Sequence, residues 1–103
     1  MGNDNGELLL KVAATTPVAQ LSGAISGGVF DGKSVTLRAI GHGAIGQAVK
    51  GVAAARGHTA QQGIDLAVVP GFQTIDMPES ANRRSGPTTA ITLRVIKLGH
   101  SDA

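Results

Sequence analysis

The chain has 103 residues and no cysteine, so it has room for one domain with one modest core, and disulfides, thiolate nucleophiles and cysteine-ligated metals are excluded. Phe30 and Phe72 are its only aromatic residues, which argues against a platform of aromatic rings for stacking nucleic-acid bases. The net charge of +2 and the pI near 9.5 are mildly basic and compatible with a nucleic-acid partner.

Alternation and turn residues predict a strand, a helix and a second strand in the first half of the chain. The first strand covers Glu7 to Ala14, where successive residues alternate between two faces. Thr16 is predicted as the N-cap and Pro17 as the first position of the helix, which ends at Gly27–Gly28. The second strand covers Lys33 to Ile40.

The second half is predicted to contain one helix and two further strands. Its elements are a turn at Gly41–Gly43, a helix from Ala44 to Arg56 that stops at Gly57, a strand from Ile64 to Val69, a polar loop from Pro78 to Pro87 and a strand from Thr88 to Lys97. The third strand either ends at Val69 or resumes after Pro70–Gly71 and runs to Met77. The element order is then β-α-β-α-β-β.

This order predicts an α/β fold in the form of a two-layer α+β sandwich. Right-handed crossovers place both helices on one face of a four-stranded sheet, and the other face is either solvated or covered by a partner. Residues 7–97 form a single domain, with short tails at 1–6 and 98–103. The predicted core consists of Val12, Leu21, Ile25, Leu37, Ile45, Val49, Leu66, Val68, Leu93 and Val95.

The sequence also predicts a cytoplasmic protein without enzyme activity. The N-terminus has no basic start followed by an apolar run, and no apolar stretch approaches the roughly 20 residues that span a bilayer. His42, His58 and His100 are scattered and lack metal-site spacing, and no Ser-His-Asp or paired-carboxylate arrangement can be assembled. No cofactor, metal or membrane partner is therefore expected.

The segment from Gly41 to Gly46 fits the pattern G-x-G-x-x-G between a strand and a helix. One interpretation is a dinucleotide site with Asp65 as the ribose-binding acid, but Asp65 lies near the start of its strand and the chain lacks a second nucleotide-binding half. A second is that the glycines allow close packing of the helix. A third is that the helix N-terminus, flanked by His42, seats a nucleic-acid phosphate. A combination of the last two is favoured.

Most of the basic residues are expected to be solvated surface charges. Arg83 and Arg84 differ because they lie side by side at the tip of a loop bounded by glycine and proline, from which their guanidinium groups could grip phosphates or enter a narrow minor groove. The alternative is a merely mobile loop. Arg38 and Arg94 lie mid-strand on the face without helices, where Asp65 could pair with one of them.

Four glycines interrupt the two predicted helices: Gly23, Gly27, Gly46 and Gly51. Each interior glycine costs about 0.5–1 kcal/mol relative to alanine, so close approach of another backbone is expected in compensation. That backbone belongs either to the sheet of the same chain or to a second subunit.

Several segments resemble one known family. They are Leu37 to Lys50 (LRAIGHGAIGQAVK), Ala53 to Gly57 (AAARG), the opening Leu10-Lys11-Val12, Gly63 to Leu66 (GIDL) and Thr89 to Leu93 (TAITL). Together they are similar, over residues 8 to 96, to the stage V sporulation protein S family of the Alba-like superfamily. Members of that superfamily are small dimeric proteins that bind DNA or RNA.

The resemblance implies a mixed sheet in the order 1-2-4-3 with the last strand antiparallel, a homodimer or higher homo-oligomer formed through the second helix, and a role in sporulation or development. It also implies a nucleic-acid-binding protein. The expected binding residues are Arg83, Arg84, His42, Gly43, Lys50 and Lys11. The alternative function is a self-assembling structural or regulatory module that does not bind nucleic acid.

Overall fold

The computed structural model describes residues 6–79 and 85–98. Its elements are strand β1 at Glu7–Val12, helix α1 at Val18–Phe30, strand β2 at Ser34–Ala39, helix α2 at His42–Ala60, strand β3 at Asp65–Met77 and strand β4 at Gly86–Leu98. The predicted fold class and the order β-α-β-α-β-β are confirmed.

The four strands form one mixed sheet in the order β1-β2-β4-β3. Strands β1 and β2 are parallel, and β4 is antiparallel to both of its neighbours, as the family resemblance implied. The register places Leu10, Leu37 and Leu93 side by side on the face that the helices cover. We call the opposite face of the sheet, which neither helix covers, the open face.

The core between helices and sheet contains most of the predicted residues. Leu37 and Leu93 are buried, and Ile45 and Val68 are partly buried against the same cluster. The prediction for Val49 is wrong, because its side chain is 53% exposed. Helix α2 instead buries a row of small residues, Ala44, Ala48, Gly51, Val52 and Ala55.

The predicted ends of α1 are wrong at both sides. Pro17 is the N-cap, and the hydroxyl of Thr16 accepts a hydrogen bond from the Ala13 N–H (2.8 Å) instead of capping the helix. At the other end the helix passes through Gly27 and Gly28 to Phe30. A Cβ on Gly28 would lie 2.7 Å from Val35 Cγ2, so this glycine permits close packing on the sheet and does not stop the helix.

Helix α2 is longer than predicted at both ends. It begins at His42, directly after Gly41, whose φ of 89° favours glycine. It continues through Gly57, which lies at an exposed helical position, and ends at Ala60. The stop comes at Gly63 (φ 77°), after which the Ile64 N–H donates to the Thr59 carbonyl (3.1 Å).

Strands β3 and β4 have 13 residues each, whereas β1 and β2 have six. The longer of the two predicted versions of the third strand is therefore correct, since β3 continues through Pro70 and Gly71 to Met77. Pro70 is tolerated because β3 is an edge strand. The β3–β4 hairpin extends beyond the ends of β1 and β2, and residues 80–84 lie outside the described part of the chain.

Candidate nucleic-acid interface

Three cations lie close together on the open face of the sheet. Lys11 of β1 is directly opposite Arg38 of β2, and Arg94 of β4 is opposite Thr36 of β2. Like charges directly opposite each other destabilise a sheet. An anion bound to this surface would relieve the repulsion between Lys11 and Arg38.

None of the three cations forms an ion pair within residues 6–79 and 85–98, where the single salt bridge joins Arg56 to Asp65. Its Arg56 Nε–Asp65 Oδ1 distance is 2.5 Å, and Arg56 Nη2 donates to Oδ2 at 3.2 Å. The prediction that Asp65 could pair with Arg38 or Arg94 is therefore wrong. Asp65 lies at the start of β3, beside the last turns of α2, and Arg56 reaches it from there.

The ion pair changes the acidity of both partners. The hydrogen bond from Arg56 holds the pKa of the Asp65 carboxyl below its ordinary value of 3.8, and the Leu66 N–H donates to the same carboxylate (2.9 Å). The hydrogen bond and the charge of Asp65 raise the pKa of Arg56. The carboxylate of Asp65 therefore has a structural role, since it joins the start of β3 to Arg56 of α2.

A groove of about 360 Å³ lies where β1 and β2 end beneath the hairpin. Its lining includes Lys11 and Arg38, with Ile40 beside them and with Ile75 and Met77 of β3. We call it the strand-end groove. In this groove the two cations could contact phosphates, and the apolar side chains of the hairpin could contact sugars or base edges.

The glycine-rich turn lies next to this groove. His42 is exposed as the first residue of α2, and a Cβ on Gly43 would lie only 2.8 Å from the Cβ of Ala14, which lines the groove. Close packing thus accounts for Gly43. Gly41 has no side chain to cap the helix, so the first N–H groups of α2 have no side-chain partner from the N-cap.

Asp65 lies too far from the glycine turn to serve a dinucleotide there. Its partner Arg56 is 14 residues after His42 in α2, which corresponds to about 21 Å along the helix axis. The interpretation of the Gly41–Gly46 pattern as a dinucleotide site, already disfavoured, has no support in this geometry.

The structure brings together only some of the predicted binding residues. Lys11 lines the strand-end groove, and His42 and Gly43 lie beside it. Lys50 is exposed on α2 but does not line the groove, and Arg83 and Arg84 lie outside the described residues. Arg38 and Arg94 were placed on the face without helices but were not among the predicted binding residues.

Two further observations concern the described residues. They contain no group of three or more His, Asp or Glu side chains placed to hold a metal ion. No helix among them has the length and apolar character needed to cross a membrane.

Two comparisons with known proteins identify the fold and the family of the chain. The chain resembles a solved structure of Alba from Thermoplasma volcanium, with a TM-score of 0.64 and 16% sequence identity over 85% of this chain and 98% of that one. This likeness concerns the fold. The model of the family described as Stage V sporulation protein S matches residues 8–98. The chain therefore belongs to the Stage V sporulation protein S family.

Proposed function

We propose that this chain is a small dimeric nucleic-acid-binding protein with a regulatory role in sporulation or development and without enzyme activity. The groove where β1 and β2 end would contact the phosphate backbone of DNA or RNA. The hairpin would carry Arg83 and Arg84 along the nucleic acid.

The observation that carries this proposal is the pair formed by Lys11 and Arg38. The two cations face each other across β1 and β2, and no carboxylate of the described residues pairs with them. An anionic partner would neutralise this pair and relieve its repulsion. A polyanion fits better than a small anion because the groove is open and continues along an extended hairpin.

Exposed apolar residues support the dimer. Val49 on α2 is 53% exposed, and Phe72 on β3 is 82% exposed on the side of the sheet that the helices occupy. Gly46 of α2 has nothing within 4 Å of an ideal Cβ, so contacts within the chain do not account for it. A second copy that packs on α2 and β3 would cover these residues and would present two hairpins to one nucleic acid.

A second candidate function is self-assembly without nucleic acid. The same exposed residues favour it, together with Gly23 and Gly27 of α1, at which an added Cβ would meet nothing within 4 Å. In that case the open-face cations would be solvated surface charges.

A binding experiment separates nucleic-acid binding from self-assembly alone. Labelled duplex DNA and labelled duplex RNA of random sequence are titrated with the protein at several salt concentrations, and binding is measured by fluorescence anisotropy. The proposal predicts salt-sensitive binding and a weaker affinity for Lys11→Gln. Lys97→Gln is the matched control, because Lys97 is exposed on β4 but lies on the opposite face from Lys11. Absence of salt-sensitive binding by the parent protein would favour the self-assembly module.

A further inference from the structure

The open face carries a second concave surface beside the strand-end groove. It encloses about 410 Å³, and its lining includes Arg94, Arg38, Thr36, Ser34, Gln73 and Glu7. We call it the sheet-face pocket. Arg38 lines both surfaces and therefore connects them.

The charges in the sheet-face pocket are mostly positive and uncompensated. Arg94 is opposite Thr36 and Arg38 is opposite Thr92, so the two arginines are diagonal neighbours, with their Cα atoms about 7–8 Å apart. Glu7 is the one acid that lines the pocket among the described residues. Glu7 lies four residues before Lys11 in β1, and Lys11 is directly opposite Arg38 in β2. Glu7 and Arg38 are therefore about 13 Å apart along the strand direction. Neither arginine is in a salt bridge with any described residue.

The dimensions of this cation row fit one sugar–phosphate strand. Lys11, Arg38 and Arg94 lie on β1, β2 and β4, which are adjacent and span about 10 Å across two inter-strand spacings. The pocket is also at the small end of the range of about 300–1,000 Å³ for ligand pockets.

We propose that the sheet-face pocket binds the phosphate backbone of a single nucleic-acid strand, with Arg94 and Arg38 as the phosphate-binding groups. Ser34 and Thr36 also line the pocket, and their hydroxyls can donate hydrogen bonds to phosphate oxygens. This inference rests on the proposed function and deepens it, because it gives the strand a path from the strand-end groove, past Arg38, onto the sheet.

The pocket has little means to distinguish bases. Phe72 lies on the other face of the sheet, opposite Ile91, and Phe30 belongs to α1, so no aromatic ring of the described residues lies on the open face. Leu9 and Val69 are exposed in the same row of residues as Arg94 and offer apolar contacts to sugars or to any base. Binding is therefore expected to tolerate changes of sequence.

The test compares Arg94→Gln with Lys97→Gln. Both residues are exposed on β4, and because they are three positions apart they lie on opposite faces. The probes are labelled oligo(dT), labelled oligo(U) and a labelled duplex DNA of the same length. Their binding is measured by fluorescence anisotropy at several salt concentrations. Arg94→Gln should weaken single-strand binding about two- to fivefold, as expected for an exposed ion pair. It should also lower the salt slope by about 0.7 per chain.

Lys97→Gln should behave as the parent protein, and Arg94→Lys should restore the salt slope. If Arg94→Gln and Lys97→Gln bind oligo(dT) and oligo(U) alike while Lys11→Gln weakens duplex binding, the inference fails and the proposed function stands. If the parent protein binds no nucleic acid, both fail. If Arg94→Gln weakens duplex and single-strand binding equally, or changes the oligomeric state, the assignment to a single strand is overturned.

Discussion

Leu21 of α1 occupies the space above Gly51 of α2, where an ideal Cβ on residue 51 would lie 2.6 Å from Leu21 Cδ2 and 2.7 Å from its Cγ. The alternatives for Gly51 were the sheet or a second subunit, and the contact is instead with the other helix. The absence of a side chain at Gly51 therefore lets α1 and α2 pack closely against each other.

Gly51→Ala is therefore expected to lower the free energy of unfolding by up to about 2 kcal/mol. Overpacking a core costs about 1–3 kcal/mol, and the gain in helix propensity of about 1 kcal/mol offsets part of that cost. Urea unfolding at one fixed protein concentration measures the change. Gly57→Ala is the control, since nothing lies within 4 Å of its ideal Cβ, and it should stabilise the protein by about 0.4–1 kcal/mol. Equal effects of the two substitutions would contradict the packing argument.

Val49→Glu is expected to convert the proposed dimer into a monomer without unfolding the chain. Val49 is more than half exposed, so the charge is solvated in the monomer but desolvated in a contact between two copies of α2. Size exclusion with light scattering should give twice the chain mass for the parent protein and one chain mass for the variant. Phe30→Ser removes an exposed apolar residue from α1 and should leave the dimer intact. A monomeric parent protein would remove the dimer from the proposal.

Acidification is expected to remove the stabilising effect of the Arg56–Asp65 pair. The pKa of Asp65 is lower in the folded chain than its ordinary value of 3.8, so the pair stabilises the fold above pH 4. This contribution decreases below that value and is lost as the pH falls through the folded pKa. Thermal unfolding between pH 7 and pH 2 should show a smaller decrease for Asp65→Asn than for the parent. The exposed Asp31→Asn serves as control, and an identical pH profile for Asp65→Asn and the parent would show that the pair contributes nothing.

Replacement of Arg83 and Arg84 by alanine should weaken duplex binding at low salt. The salt dependence should become shallower by about 0.9 unit for each phosphate contact removed, or up to about four such units if all four arginines of a dimer are engaged. The free energy of unfolding should stay within about 0.5 kcal/mol of the parent value.

The control for this variant is Lys33→Ala with Lys97→Ala, which removes the same charge. Both lysines lie at the opposite end of the sheet from the hairpin, on a surface that Arg94 also lines, so the comparison separates the hairpin from the body of the sheet. If the two double variants bind alike, the hairpin is not a binding arm. The strand-end groove would then carry the interaction without it.

The sheet is predictable from sequence because each inner strand has one buried face. In β2 and β4 the apolar side chains recur at every second position, which gives both the element type and the face. The helix ends are not predictable in the same way. Gly28 and Gly57 resemble stop signals, but the first permits packing on Val35 and the second lies in an exposed helical turn. Only the tertiary contact distinguishes these roles.

The candidate site is predictable in part for the same reason. Alternation places Lys11, Arg38 and Arg94 on one face, so the signal for the full cation row is present in the sequence. The partner of Asp65 is not encoded in any local pattern. It depends on the last turns of α2 passing beside the start of β3, which brings Arg56 within reach.

The central position of β4 has a consequence for biosynthesis. Of the four strands, β4 leaves the ribosome last, and β2 and β3 both require it as a neighbour. Until it inserts, each of these strands exposes an edge that can pair with another chain. A nascent chain that has emerged only through Met77 contains both helices and three strands, but it cannot complete its sheet. Emergence of β4, and not of either helix, is therefore the step that allows this sheet to close.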